Sequence, residues 1–132
     1  MKPVKLWRLT AVAVAAAFLS LLAASPAAAA DNWMYTDDSN PGGKVEFTQL
    51  GDIVKLCDIE ADDHSTILTV YDQTTYKKAY VITAAGNGNC TTRDVNDGGV
   101  YNLIEDHQYW FEICLYRGGV WSACDEAIWN NW

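Results

Sequence analysis

Basic residues are scarce in this chain: nine Lys and Arg stand against seventeen Asp and Glu. The imbalance sharpens beyond residue 30, where all seventeen acids but only six of the nine basic residues lie, giving a formal charge of −11. A surface this acidic is repelled by phosphate backbones and anionic lipid headgroups, which argues against nucleic acid and membrane surfaces as partners. A basic protein or a divalent cation suits it better. Histidine is nearly missing as well, with only His64 and His107, both in acidic contexts. No G-x-S-x-G and no C-x-x-C occurs, so the hydrolase nucleophile elbow and the usual zinc spacing are both lacking. Nor do the carboxylates single out a glycosidase pair, since seventeen acids in a small domain place some pair at working distance by chance. The expectation is a chain with no catalytic residues, no cofactor and no metal. A 3.6-residue apolar period is also missing, which argues against helices.

The first thirty residues differ from the rest. Lys2, Lys5 and Arg8 precede a sixteen-residue, almost wholly apolar run from Leu9 to Ala24, and Ala28, Ala29 and Ala30 follow just before Asp31. A positive start, an apolar middle and a small-residue end predict a secretory signal peptide over residues 1–30. The apolar run is short of the roughly twenty residues that a membrane-spanning helix needs. The mature protein is therefore expected outside the cell.

All four cysteines, Cys57, Cys90, Cys114 and Cys124, lie beyond the signal, and an even count in a small exported domain predicts two disulfides. The pattern between them is that of strands. Val45–Phe47, Ile53–Cys57, Thr66–Tyr71, Tyr76–Thr83, Cys90–Val95, Gln108–Tyr116 and Val120–Ile128 are short and rich in β-branched or aromatic residues, with Gly, Asn and Asp clusters between them. Gln108–Tyr116 alternates most clearly, with Tyr109, Phe111, Ile113 and Leu115 on one face and Trp110, Glu112, Cys114 and Tyr116 on the other. Leu103 and Tyr109 are spaced as in the tyrosine corner of immunoglobulin and fibronectin type III domains, where the Tyr hydroxyl bonds back to upstream backbone. The predicted fold is an antiparallel immunoglobulin- or fibronectin-III-like β-sandwich over residues 44–132, preceded by a flexible or strand-like arm over residues 31–43. With a three-residue loop at Gly118-Gly119-Val120, Cys114 falls opposite Cys124 on one face, within disulfide reach. Cys57 then pairs with Cys90 by elimination.

Two groups of residues are candidate sites. Asp58, Glu60, Asp62 and Asp63 make the densest acidic run. Alternate carboxylates of this kind can converge on calcium, but Asp63 stands where an EF-hand loop needs Gly and Thr69 where it needs Glu. The expectation is a solvated loop. The aromatics at the two ends form the second group. Trp33, Met34 and Tyr35 give the arm more bulk than a linker needs, and Trp129 and Trp132 close the chain where few contacts remain to bury them. Trp and Tyr are enriched at interface hot spots, so these five are the expected partner-binding residues.

The run GDIVKLCDIEAD from Gly51 to Asp62, the Gly88-Asn89-Cys90 segment, Tyr101-Asn102-Leu103 and the alternating Tyr109, Phe111, Ile113, Cys114 set together resemble small exported four-cysteine proteins of streptomycete-type actinobacteria. In size, export signal and build the chain is similar to one subset of these, the small adaptor subunits of umbrella toxin particles. That resemblance implies an adaptor between a large toxin subunit and a lectin-like subunit, with the arm around Trp33 and Tyr35 docking into the lectin. The leading expectation is thus a secreted, non-catalytic protein-interaction module. The alternatives are an inhibitor of a protease or glycoside hydrolase, acting through the Gly86–Asn89 or Gly98–Tyr101 loops, and a small carbohydrate-binding protein with an exposed Trp face.

Overall fold

The computed structural model describes residues 30–132, so the expected export signal, apart from Ala30, lies outside the described residues. Eight strands follow in order: β1 (Asn32–Tyr35), β2 (Gly43–Thr48), β3 (Ile53–Asp58), β4 (Ser65–Asp72), β5 (Lys77–Ala85), β6 (Cys90–Arg93), β7 (His107–Arg117) and β8 (Val120–Asn131). Two single 3-10 turns, Val95–Asp97 and Gly99–Tyr101, lead from β6 towards β7. Among the described residues no helix is long and apolar enough to cross a membrane.

The strands form two four-stranded antiparallel sheets, ordered β1-β2-β3-β6 and β5-β4-β7-β8. The chain passes from the first sheet to the second after β3, returns after β5 and crosses again after β6. Side chains of both sheets interleave in one core, including Val45, Phe47, Val54 and Leu56 from the first and Leu68, Val70, Phe111 and Ile113 from the second. These are the inward positions of the alternating strands, so period-two sequence is converted directly into a sandwich interior. Phe47 and Phe111 meet across the sheets with ring centroids 5.1 Å apart, a tilted aromatic contact that adds to area burial.

Backbone approach sets some positions. A Cβ on Gly43 would lie 2.5 Å from Thr66 Cγ2, so β2 reaches β4 across the sandwich only because residue 43 carries no side chain. The Tyr109 hydroxyl accepts a 2.7 Å hydrogen bond from the Ile104 backbone N–H, the bond back to upstream backbone that the Leu103 and Tyr109 spacing predicts. Tyr109 is 2% exposed. Tyr109→Phe is therefore expected to cost about 1–3 kcal/mol, because it leaves a part-buried donor without its partner. Chemical denaturation of the two proteins measures it; equal midpoints would show that water replaces the hydroxyl.

Both expected disulfides are present, Cys57–Cys90 and Cys114–Cys124. Each joins neighbouring antiparallel strands, Cys57 lying directly opposite Cys90 in the β3–β6 ladder. The route to the second pair differs from the sequence expectation. Arg117 pairs with Val120, so the β7–β8 loop is the two residues Gly118 and Gly119, both at positive φ, rather than three. Such a two-residue turn by itself would set Cys114 opposite Ala123. A register shift between Ile113 and Leu115, with Ala123 at φ 49°, inserts the extra β8 residue and brings Cys124 into reach. Of the two forms expected for the arm, the strand-like one is present, β1 pairing along β2 from Asn32↔Phe47 to Tyr35↔Lys44. Two strand bounds change. The last strand runs on to Asn131 rather than ending near Ile128, and β6 stops at Arg93, where the 3-10 turns begin.

Candidate functional site: the β1–β8 side of the sandwich

β1 is an edge of one sheet and β8 an edge of the other, and these two edges approach each other on one side of the sandwich, as β6 and β5 do on the opposite side. They are tied there by the Asp37 backbone N–H, just after β1, which donates 2.9 Å to the Ala123 carbonyl of β8. Exposed aromatic and large aliphatic side chains lie on these two edge strands: Trp33 (61% exposed) and Tyr35 on the outer face of the first sheet, Trp121 and Ile128 on the outer face of the second, Val120 at the hairpin end and Trp132 (67% exposed) just beyond β8. Elsewhere such residues stand mostly alone at turns and loops, as Leu50 and Tyr76 do.

The five aromatic and Met candidates divide. Trp33, Tyr35 and Trp132 are open to solvent. Met34 is not: β1 alternation turns it into the core at 7% exposure. Trp129 is likewise drawn inward, stacked against Phe47 at 6.2 Å and tilted against Phe111 at 4.6 Å. The expectation for Trp129 assumed that the chain had left the sheet by then; the longer β8 places it opposite Tyr109 on the inner face.

Sequence reasoning missed the outer face of β7 and β8. Trp110 lies opposite Ile128 and stacks with Tyr71 at 5.0 Å. A groove of about 530 Å³ runs beside Trp110 and Ile128, with Gln73 and Glu126 on its rim. Glu112 and Glu126 face each other directly across β7 and β8. The alternation of Trp110, Glu112 and Cys114 was a visible signal for this face, and the Cys114–Cys124 pairing implied Glu126 and Ile128 as its partners on β8. On the first sheet the outward glutamate already has a cation. Lys44 bonds to Glu46 and lies 5.6 Å from the Tyr35 ring centroid, and the Glu46 hydrogen bond holds its ammonium above the ordinary pKa.

The acidic run does not behave as one loop. Asp58 is 1% exposed and belongs to β3. Its Oδ2 accepts 2.7 Å from the Gly86 N–H, and its backbone bonds to Gly88 and Asn89, so it fastens the β5–β6 turn to β3. The expectation of a solvated Asp58 is corrected: burial with its own hydrogen bonds makes it structural. Asp62 Oδ1 caps the His64 N–H at 2.9 Å and its Oδ2 stands 2.9 Å from His64 Nδ1. Glu60 accepts from the Asn40 side chain. Asp63 is exposed, 3.7 Å from Arg117. No group of three or more His, Cys, Asp or Glu with metal-holding geometry occurs among the described residues. The Gly86–Asn89 and Gly98–Tyr101 loops lie at turns away from the β1–β8 side.

Two buried carboxylates fix the end of the fold where β8 closes. Asp72 Oδ1 accepts from the Thr74 and Thr75 N–H groups at 2.8 and 3.1 Å, and Oδ2 stands 2.9 Å from His107 Nδ1. Burial alone would raise its pKa, but the bonds from Thr75, His107 and Thr74 together outweigh burial and hold it below the ordinary value. Asp52 accepts 2.9 Å from the Leu103 N–H through Oδ2, while its Oδ1 is buried without a partner. Burial raises its pKa, and the Leu103 N–H and nearby Asn131 amide moderate the rise. Asn131 Oδ1 is itself buried and unpartnered. The two acids therefore respond oppositely to pH. The Asp72 contribution is present above the unfolded pKa and lost as pH falls through its depressed folded value; Asp52 destabilises the charged fold, and that penalty is relieved as pH falls through its raised folded value. Asp72→Asn should lower stability at neutral pH by about 1 kcal/mol, the gap closing on acidification. Asp52→Asn should be at least as stable as the parent at neutral pH, with its Nδ2 able to donate to Asn131 Oδ1. Urea midpoints from pH 7 down to pH 3 measure both; an Asp52→Asn loss that persists at every pH would contradict the assignment.

Comparison with protein-family models, with curated proteins and with solved structures finds no match.

Proposed function

We propose that the protein is a secreted, non-catalytic interaction module that docks to another extracellular protein through the β1–β8 side of its sandwich. The observation that carries this reading is that the two neighbouring edge strands, β1 and β8, and the residue just beyond β8 hold Trp33, Tyr35, Trp121, Ile128 and Trp132 in the open. Large aromatics exposed beside unpaired strand edges are costly to keep soluble and useful at hot spots. Secretion rests on the charged-apolar-small pattern of the first thirty residues, and two disulfides are compatible with an oxidising compartment. The strand order, read with β1 as an added edge strand, and the Tyr109 hydroxyl bond support a fibronectin-III-like sandwich. The resemblance to the adaptor subunits of umbrella toxin particles makes a bridging role between a lectin-like and a large toxin subunit the particular form of this proposal.

A triple variant tests it. Trp33→Ser, Tyr35→Ser and Trp132→Ser change only exposed side chains, so the fold is retained. The parent protein, recovered from its producing culture, is expected to run as a complex heavier than the mature chain alone, and the variant as the free chain. A parent that runs alone, or a complex untouched by the triple variant, would sink the reading.

A further inference from the structure

We propose that β8 receives an extended, cationic segment of the partner by strand addition, with a Lys or Arg seated over Glu126 and Glu112 and an apolar side chain in the groove at Trp110 and Ile128. This rests on the interaction-module reading and names the chemistry of its partner. The two free edges on this side are unequal. β1 has four residues, whereas β8 has twelve. Exposed edges are normally blunted by Lys or Pro. From Val120 to Trp132 there is neither, and the bulge at Ala123 with its Asp37 bond occupies only the hairpin end. The stretch from Asp125 to Asn130 pairs only with β7 and is left as an edge long enough for several ladder bonds, while Asn131 is buried.

The charge pattern selects the occupant. Like charges directly opposite on neighbouring strands destabilise a sheet, yet Glu112 and Glu126 are so placed, and among the described residues neither forms an ion pair with a cation of the chain. The first sheet neutralises its own glutamate with Lys44. A residue added opposite Glu126 projects from the same outer face, where a long cationic side chain reaches both carboxylates. Two positions along, opposite Ile128, the added strand meets the groove beside Trp110. A second copy of this chain is a poor occupant, because pairing β8 with itself brings Asp125 and Glu126 against the same acids, and the chain carries −11 beyond residue 30.

Two ten-residue peptides, added antiparallel to β8 as every strand of its sheet pairs, supply the probe: an alternating β-branched strand with lysine at one outward position and tryptophan two residues before it, and the same peptide with glutamate for lysine. The lysine peptide is expected to bind the protein at least tenfold more tightly than the glutamate peptide. The preference should shrink with added salt, and amide hydrogen exchange should slow between Asp125 and Asn131. The Glu112→Gln/Glu126→Gln double variant, which relieves repulsion and so keeps its fold, should lose the tenfold preference. Equal binding of the two peptides overturns the proposal, as does a double variant that keeps the preference, slowed exchange on β1 or β5 instead of β8, or a dimer of the protein strengthened by the double variant. If the preference is missing while the native complex still depends on Trp33, Tyr35 and Trp132, the interaction-module reading stands and only the cationic strand falls.

Discussion

Replacing Cys57 and Cys90 by Ala is expected to destabilise the protein by about 4 kcal/mol, the loop-closure cost for a loop of this size. The two cysteines are 33 residues apart, and the segment between them leaves the first sheet, builds β4 and β5 in the second and returns. The bridge thus constrains a loop that spans both layers in the unfolded chain. Its folded partner strand is weak without it. β6 has four residues, none of them buried, and pairs only with β3. Opening Cys114–Cys124 should cost less, about 3 kcal/mol. Its ten-residue separation lies inside a hairpin already closed by the Gly118-Gly119 turn and by two long strands. A domain of this kind has about 5–15 kcal/mol in hand, so losing both bridges should leave little folded protein at 37 °C. Urea titration of the two paired-alanine variants measures the difference. A larger loss from the Cys114 and Cys124 pair would show that the bulge geometry, and not loop entropy, sets the stability of this fold.

The fold was legible in the sequence where burial is decided by alternation. Phe47, Val54, Leu68 and Phe111 occupy period-two positions between turn clusters, and each lies in the core. The disulfide pairs were legible too, the second for a partly mistaken reason: the loop at Gly118 is shorter than predicted, and the strained Ala123 makes up the missing residue. A bulge is a tertiary compromise between turn geometry and packing, and no local pattern announces it. The shorter turn changes the parity of Trp121, which lies opposite Tyr116 on the outer face rather than opposite Arg117, whereas Glu126 and Ile128 keep the outward parity that the Cys114–Cys124 pairing implies. The terminal residues were hard for another reason. Trp33 and Trp129 are the same side chain near opposite ends of the chain, yet Trp33 is open and Trp129 is stacked on Phe111. What separates them is strand parity within a pairing partner's register, which exists only once β1 has found β2 and β8 has found β7. Asp58 shows the complementary case. Its neighbours in sequence are acidic and solvent-facing, but its own donors come from Gly86, twenty-eight residues away.

Phe111→Ala is expected to cost about 3–5 kcal/mol, while Trp33→Ser and Trp132→Ser should each change stability by less than about 0.5 kcal/mol. Phe111 is fully buried and sits at the point where the sheets meet, in contact with Phe47 on one side and Trp129 on the other. Truncation removes the transfer free energy of the ring and leaves a void that Phe47 and Trp129 are too rigid to fill, because both are held by their own strands. Trp33 and Trp132 remove aromatic surface of comparable size that was never taken from water, so the fold loses little. The contrast separates the two uses of aromatic residues in this chain. Those at inward parity hold the sheets together; those at outward parity on β1 and beyond β8 are free for another molecule. Thermal and urea unfolding of the three variants tests the division. If Trp33→Ser destabilises as much as Phe111→Ala, the β1 edge is an internal packing element, and the exposed aromatics of this side are no longer available to a partner.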